Sequence, residues 1–266
     1  MNRVTIDPVW LMHIQKPARY IGGEWNSVVK NNDEIPVKVA LAIPDVYEVA
    51  MSHLGLKIIY SVLNAREDAL AERVYAPWVD MEAMMREKHI PLFSLENKCP
   101  VKDFDVLGFT MPYEMCYTNI LNMIDMAGIP VWAKDRSDED PLVVAGGPCV
   151  YNAEPVADFF DVFFIGESEE AIGEMVDIVK AWKAEGKPGG RKEAIRRLAQ
   201  IDGCYAPSLY EVSYYENGVF RSIRPIDEAA QFPVKKRCIR DVDHGHIDDK
   251  PILPHLEIVH DRAVLE

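Results

Sequence analysis

Glycine-bearing segments that follow apolar runs are where this sequence can host chemistry. They are Gly146-Gly147-Pro148-Cys149 and Gly166-Glu167-Ser168; Pro44-Asp45 and Thr110-Met111-Pro112-Tyr113 also leave strand ends, and Met51-Ser52-His53-Leu54-Gly55 sits in or beside the first helix. A glycine lets a bulky ligand approach the backbone. A helix that begins in such a segment offers free N–H groups to a phosphate or an amide. In an open parallel sheet, ligands bind beyond the carboxyl ends of the strands. The candidate binding positions are therefore Asp45, Ser52, His53, Thr110, Met111, Tyr113, Gly146, Gly147, Pro148, Gly166, Glu167 and Ser168. On spacing alone, tight strand-to-helix turns explain the same glycines equally well, so both readings stand.

Other chemistries find less support. Neither GxGxxG nor GxxxxGK[ST] occurs, so dinucleotide or ATP binding of those types is not indicated. The imidazole of His53 can ligate a metal, although a packed or hydrogen-bonded histidine is the commoner state. Ser52 beside His53 is adjacency in sequence, not a nucleophile–base pair. His244-Gly245-His246 with Asp241, Asp243, Asp248 and Asp249 reads as a solvated acidic linker rather than a metal site. The five cysteines (Cys99, Cys116, Cys149, Cys204, Cys238) are scattered without CxxC spacing. They are expected to be reduced cytoplasmic thiols that pack as small hydrophobes. No catalytic residue and no metal ligand is assigned.

The composition limits the partners. With 48% apolar residues the chain can bury a core. Its net charge of −14 argues against direct nucleic-acid binding, because phosphate neutralisation dominates that affinity. The local group Lys235, Lys236, Arg237 and Arg240 is expected to be a solvated linker face. No run of 18 apolar residues suggests a membrane span, and no export signal is visible at the N-terminus. The expected location is the cytoplasm.

The elements that must hold the candidate positions follow from periodicity. Residues 1–35 read as an irregular arm anchored by Val9, Trp10, Leu11, Ile21 and Trp25. Val37–Ile43 reads as a buried strand. Asp45 is expected to cap a helix over about Tyr47–Asn64 that contains Gly55. Short strands are expected at Val74–Ala76, Pro91–Ser94 (edge-like), Val106–Thr110, Leu142–Ala145 and Val162–Ile165. Helices are expected at Met81–Lys88 and Glu114–Met126. A further helix carries Ile172, Met175, Val176, Val179 and Trp182 on one face, with Ser168 as its N-cap and Glu169 and Glu170 in its first turn. Alternating strands and helices over residues 36–189 imply an α/β doubly wound parallel sheet of flavodoxin-like or cobalamin-binding-like type. Residues 190–254 are expected to hold a helix, a β-hairpin turning at Asn217-Gly218, and a linker. His255–Val259 reads as the start of a new strand.

Several of these motifs resemble a known family. Val144-Ala145-Gly146-Gly147-Pro148 followed by Pro155 and Asp161–Glu169 is similar to the closing half of the cobalamin-binding-type domain of radical S-adenosylmethionine (SAM) proteins. Gly108-Phe109-Thr110 resembles that family's middle loop. Lys16–Glu24, Pro44-Asp45 with Tyr47-Glu48-Val49, and Met51–Gly55 are similar to the N-terminal region of an uncharacterised branch, and the resemblance spans nearly the whole chain. It implies that cobalamin lies against the Thr110, Gly146 and Gly166 loops. It also implies a radical SAM barrel in cis, with residues 255–266 as its truncated start, and a [4Fe–4S] cluster and SAM held only by that barrel. The family's cobalt-ligating DxHxxG pattern is not matched by Met51-Ser52-His53-Leu54-Gly55, which has the wrong spacing and no aspartate. The chain by itself is expected to lack radical SAM activity. The alternatives are a cofactor-free scaffold and a flavin- or nucleotide-type small-ligand binder.

Overall fold

A computed structural model describes residues 3–239 and 250–253. Arg240, the His244–His246 group and the expected strand at His255–Val259 lie outside the described residues. The elements run in the order α1 (Pro8–Leu11), β1 (Val37–Ile43), α2 (Tyr47–Ala50), α3 (Leu54–Ala65), β2 (Ala69–Tyr75), α4 (Val79–Glu87), β3 (Val106–Thr110) and α5 (Tyr117–Met126), then β4 (Leu142–Gly146), β5 (Val162–Phe164), α6 (Ala171–Ala184), α7 (Gly190–Leu198), β6 (Cys204–Tyr205), β7 (Tyr210–Tyr214) and β8 (Phe220–Pro225). Single 3₁₀ turns fill several of the connections.

The main sheet has six strands in the order β2-β1-β3-β4-β5-β6, and β7-β8 form a separate hairpin. The first five strands are parallel. Short β6 closes the β5 edge in antiparallel sense. This is the doubly wound arrangement expected from the alternating elements. Its winding reverses between β1 and β3, which places a crevice at their carboxyl ends. Helices α3 and α6 pack together over one face. Lys183, in the last turn of α6, bonds the carbonyl of Pro36 and the carboxylate of Asp105 at the amino ends of β1 and β3. The first turn of α6 therefore stands near the carboxyl ends. On the other helix layer, Arg86 and Glu82 of α4 bond Asn122 and Asp125 of α5.

Several expectations are corrected. The helix over Tyr47–Asn64 is two helices. His53 takes an extended backbone (φ −81°, ψ 112°), and its Nδ1 accepts the Leu56 N–H at 3.3 Å as the N-cap of α3. Asp45 does not cap α2, whose N-cap is Val46. The second strand begins at Ala69, because its Glu72 and Arg73 are fully buried charges that mask the apolar pattern. Pro91–Ser94 is no sheet strand; Phe93 makes one isolated bridge to Pro100. Helix α6 begins at Ala171 with Glu170 as N-cap, and Ser168 contributes only its carbonyl, to Ile172 N at 2.8 Å. Glu114–Cys116 is a 3₁₀ turn before α5. Of the expected arm anchors, Val9, Ile21 and Trp25 are exposed, and Cys238 is an exposed thiol rather than a buried one.

Leu11 does pack against the core, with Ile14 and Tyr20 buried in it, and the arm is also held by polar contacts to the β2 edge. Arg73 has 0% side-chain exposure and pairs with Glu96 at 2.6 Å and Glu24 of the arm at 2.9 Å. The outer backbone of β2 is satisfied by the same loop: Leu95 N donates to Arg73 O, and Arg73 N to Glu96. That covers an edge which would otherwise be open to pairing. Tyr60 of α3 accepts the Val28 N–H at 2.8 Å, and Lys30 reaches the carbonyls of Arg66 and Ala69. A second buried centre forms where Asp161 accepts from Arg136, Arg191 and the Val143 N–H. It fixes α7 and the 130–141 loop under β4 and β5.

Removing one partner of a buried ion group leaves the others uncompensated. Arg73→Met is expected to lower stability by about 3–5 kcal/mol, seen as a reduced urea midpoint. Arg86→Met, on the exposed α4–α5 surface, is expected to cost under about 1 kcal/mol.

Candidate functional site

An apolar opening among the described residues lies over the carboxyl half of the sheet, on the face covered by α3 and α6. Its volume is about 590 Å³, within the range of small-ligand sites. The floor comes from alternate positions on adjacent strands: Leu41, Gly108 and Thr110, Val144 and Gly146, and Phe164. Leu41, Gly108 and Val144 are directly paired in register, so period-two alternation puts them on one face. Leu54, Gly55, Leu56, Ile58 and Ile59 of α3 and Ile172 of α6 form the walls. Ser52, His53, Gly147, Pro148, Tyr151 and Glu167–Glu169 ring the mouth, and Lys236–Cys238 close the outer side.

Gly108 is the strand position that keeps the floor low. A Cβ there would meet Val144 Cγ2 at 3.6 Å, Leu41 Cδ2 at 3.7 Å and Ala40 O at 3.9 Å. Those are ordinary contacts, so its bareness leaves a trough between two branched side chains rather than relieving a clash. Gly147 differs. Its φ is +104°, and a Cβ would lie 3.0 Å from Met111 O. Here glycine is required by the turn itself. Gly146 is roomier, with Ser168 Oγ at 3.7 Å as the neighbour a Cβ would meet.

The candidate positions divide into two groups. Ser52, His53, Thr110, Gly146, Gly147, Pro148, Gly166, Glu167 and Ser168 all border the cleft. Asp45, Met111 and Tyr113 do not; they join loops to one another. Met111 is fully buried, takes Gly146 O at its N–H (2.8 Å) and offers its own carbonyl to Cys149 N (3.1 Å). Tyr113 donates its hydroxyl to Asp45, which also accepts the Val46 N–H. That acceptor carboxylate, with some burial, pushes the Tyr113 hydroxyl up to about 12. Among the rim residues, Ser52 donates to Glu48 O at 3.1 Å, and His53 Nδ1 is engaged as the cap of α3. A metal ligand at that nitrogen would cost the cap. Among the described residues, no group of three or more His, Cys, Asp or Glu side chains is arranged to hold a metal. Nor is any helix there long and apolar enough to cross a membrane.

The residues missed from sequence are the floor positions Leu41, Gly108, Val144 and Phe164, the α3 wall and the outer wall. Gly108 carried a usable signal, since an isolated glycine inside a strand often marks close approach of something else. Lys236–Cys238 carried none: their place depends on a contact between Arg237 and Gly166.

The apolar cleft lies at the carboxyl ends of the strands of a doubly wound α/β sheet, the place where open sheets of this class take their ligands when they bind one. The family model of the N-terminal region of radical SAM proteins matches residues 55–207, more than half of the sequence, and the chain belongs to that family. It is also similar to an uncharacterized protein of Methanocaldococcus jannaschii, with 39% identity over 87 residues, which is 32% of this chain and 18% of that protein. Among solved structures it is similar to the radical SAM methyltransferase TsrM of Kitasatospora setae, solved with its tryptophan substrate and aza-SAM. That match has 15% identity and a TM-score of 0.37, and covers 68% of this chain and 29% of the other. The matched region thus spans less than a third of either relative.

The two adjacent glycines should respond differently to a methyl group. Gly147→Ala is expected to destabilise by about 1–3 kcal/mol through backbone strain. Gly146→Ala is expected to stay within about 0.5 kcal/mol of wild type. Thermal melts of both variants would read the contrast.

Proposed function

We propose that this chain is a cobalamin-binding-type domain of a radical SAM enzyme, working beside a catalytic barrel supplied by the same protein. The observation that carries the reading is the trough at Gly108 inside an apolar cleft of about 590 Å³ at the carboxyl ends of the strands. A long, flat-sided group such as the nucleotide tail of cobalamin needs such a slot between sheet and helices. Leu41, Val144 and Phe164 would pack beneath it, and Leu56, Ile59 and Ile172 above it. Thr110 and Gly146 of the floor and Ser168 of the rim would border it, and glycine admits close approach to the backbone.

The fit extends to the tail and not to a protein ligand for cobalt. His53 caps α3 through Nδ1, and the residues around it do not form the family's histidine-ligating motif. When bound, the cofactor would supply a methyl or radical carrier. The cluster and SAM chemistry would belong to the barrel. The role of this chain is to bind, to orient, and to exclude water from the apolar floor.

A cofactor-free scaffold would be expected to fill the space above Gly146-Gly147 with bulky side chains, and open volume lies there instead. The flavin- or nucleotide-type alternative needs a phosphate at a helix N-terminus. At the α5 end, Tyr113 is tied to Asp45 away from the cleft.

Titration with hydroxocobalamin and methylcobalamin, followed by absorbance and calorimetry, tests the proposal. Saturable binding is expected in wild type and is expected to be lost in Gly108→Phe, whose ring would occupy the trough. An unchanged spectrum with no heat in wild type would overturn the cofactor reading in favour of the scaffold.

A further inference from the structure

We infer that residues 235–239 are a strap that closes the outer side of the cleft when seated and opens it when released. This deepens the ligand-cleft reading above and rests on it only where a cofactor is involved. Arg237 runs as an extra parallel rung beside Gly166: its N–H donates to Ile165 O at 2.9 Å, and its carbonyl accepts the Glu167 N–H at 3.1 Å. The seat is cut for backbone. A Cβ on Gly166 (φ +105°) would lie 2.1 Å from Arg237 O; one on Gly203 (φ +88°) would lie 2.8 Å from Ile165 O and 3.1 Å from Arg237 Cβ. Gly166 thus makes room for the Arg237 backbone, and Gly203 lies against both Ile165 and Arg237.

The forces holding the strap are polar. The Arg237 guanidinium pairs with Glu170 at 2.8 Å and Glu174 at 2.6 Å, and the Glu167 carboxylate accepts the Ile239 N–H. Lys235, Lys236 and Cys238 are exposed, and none of residues 235–239 is fully buried. A segment held by partly exposed ion pairs and a few backbone bonds, with no buried apolar anchor, belongs to the low-stability end of a fold. Salt weakens such pairs. Since Lys236–Cys238 also line the cleft, a ligand that fills the cleft touches the seated strap alone. By linkage it must favour that state.

Limited trypsin cleavage after Lys235 and Lys236 reads strap release, and the binding rate of the apolar dye anilinonaphthalene sulfonate reads cleft opening. Gly108→Phe serves as the control for dye bound elsewhere. Arg237→Met is expected to raise cleavage roughly five- to tenfold and to speed dye binding. Gly166→Ala, acting by steric exclusion instead of charge, is expected to move both in the same direction. Unchanged cleavage in both variants, or faster cleavage with unchanged dye kinetics, would overturn the strap. Hydroxocobalamin is expected to slow cleavage of wild type; binding without that protection would also overturn it. Should wild type bind no cobalamin, the cofactor reading fails, while the trypsin and dye results still decide the strap.

Discussion

Everything functional in this domain depends on the position of β1 between β2 and β3. The chain leaves β1 toward β2 by way of α3 and comes back to β3 by way of α4. Right-handed crossovers then put the two connections on opposite faces. The loops after β1 and β3 are forced apart, and a crevice opens between them. Helix α6 returns on the α3 side, pinned at its far end by Lys183 to Pro36 and Asp105. The cleft is what remains between two helices that cannot both cover the carboxyl ends of the strands.

Buried charge keeps that arrangement in one register. Parallel strands made of Val, Ala, Leu and Ile pack in many ways, because dispersion and burial are not directional. Arg73 accepts fewer solutions. Its guanidinium must meet Glu24 and Glu96 at once, which locks the arm and the 94–99 loop against the β2 edge. Asp161 does the same at the opposite side of the sheet with Arg136 and Arg191. Neither centre touches the cleft. Both hold the frame in which its floor is level, so that Leu41, Gly108 and Val144 fall side by side.

Membership of the radical SAM N-terminal family gives this frame a context without fixing its ligand, since one fold hosts many functions. The segments around Gly146-Gly147 and Gly166-Glu167-Ser168 border the cleft, and their glycines have separate duties. Gly147 serves a turn, Gly166 admits the Arg237 backbone, and Gly146 stands open. A Gly-Gly pair that reads as one motif in sequence is thus two residues with different physical reasons.

What the sequence by itself determined is the material that local periodicity encodes. The apolar runs at Val37–Ile43, Val106–Thr110 and Leu142–Ala145 marked the central strands, and their alternation with helices implied the doubly wound sheet. The hairpin at Asn217-Gly218 was legible from its turn. The rim of the cleft was legible because glycine-rich loops must follow such strands. Only the tertiary structure decided the rest. The start of β2 was masked because Glu72 and Arg73 are buried there by partners distant in sequence. The break at His53 arises where an imidazole substitutes for a backbone acceptor. The trough at Gly108 exists only once Leu41 and Val144 are set on either side of it. The outer wall at Arg237 depends on a seat formed by Gly166 and Gly203. Periodicity reports which face a residue presents; which residue arrives opposite that face is fixed by long-range contacts that no local pattern contains.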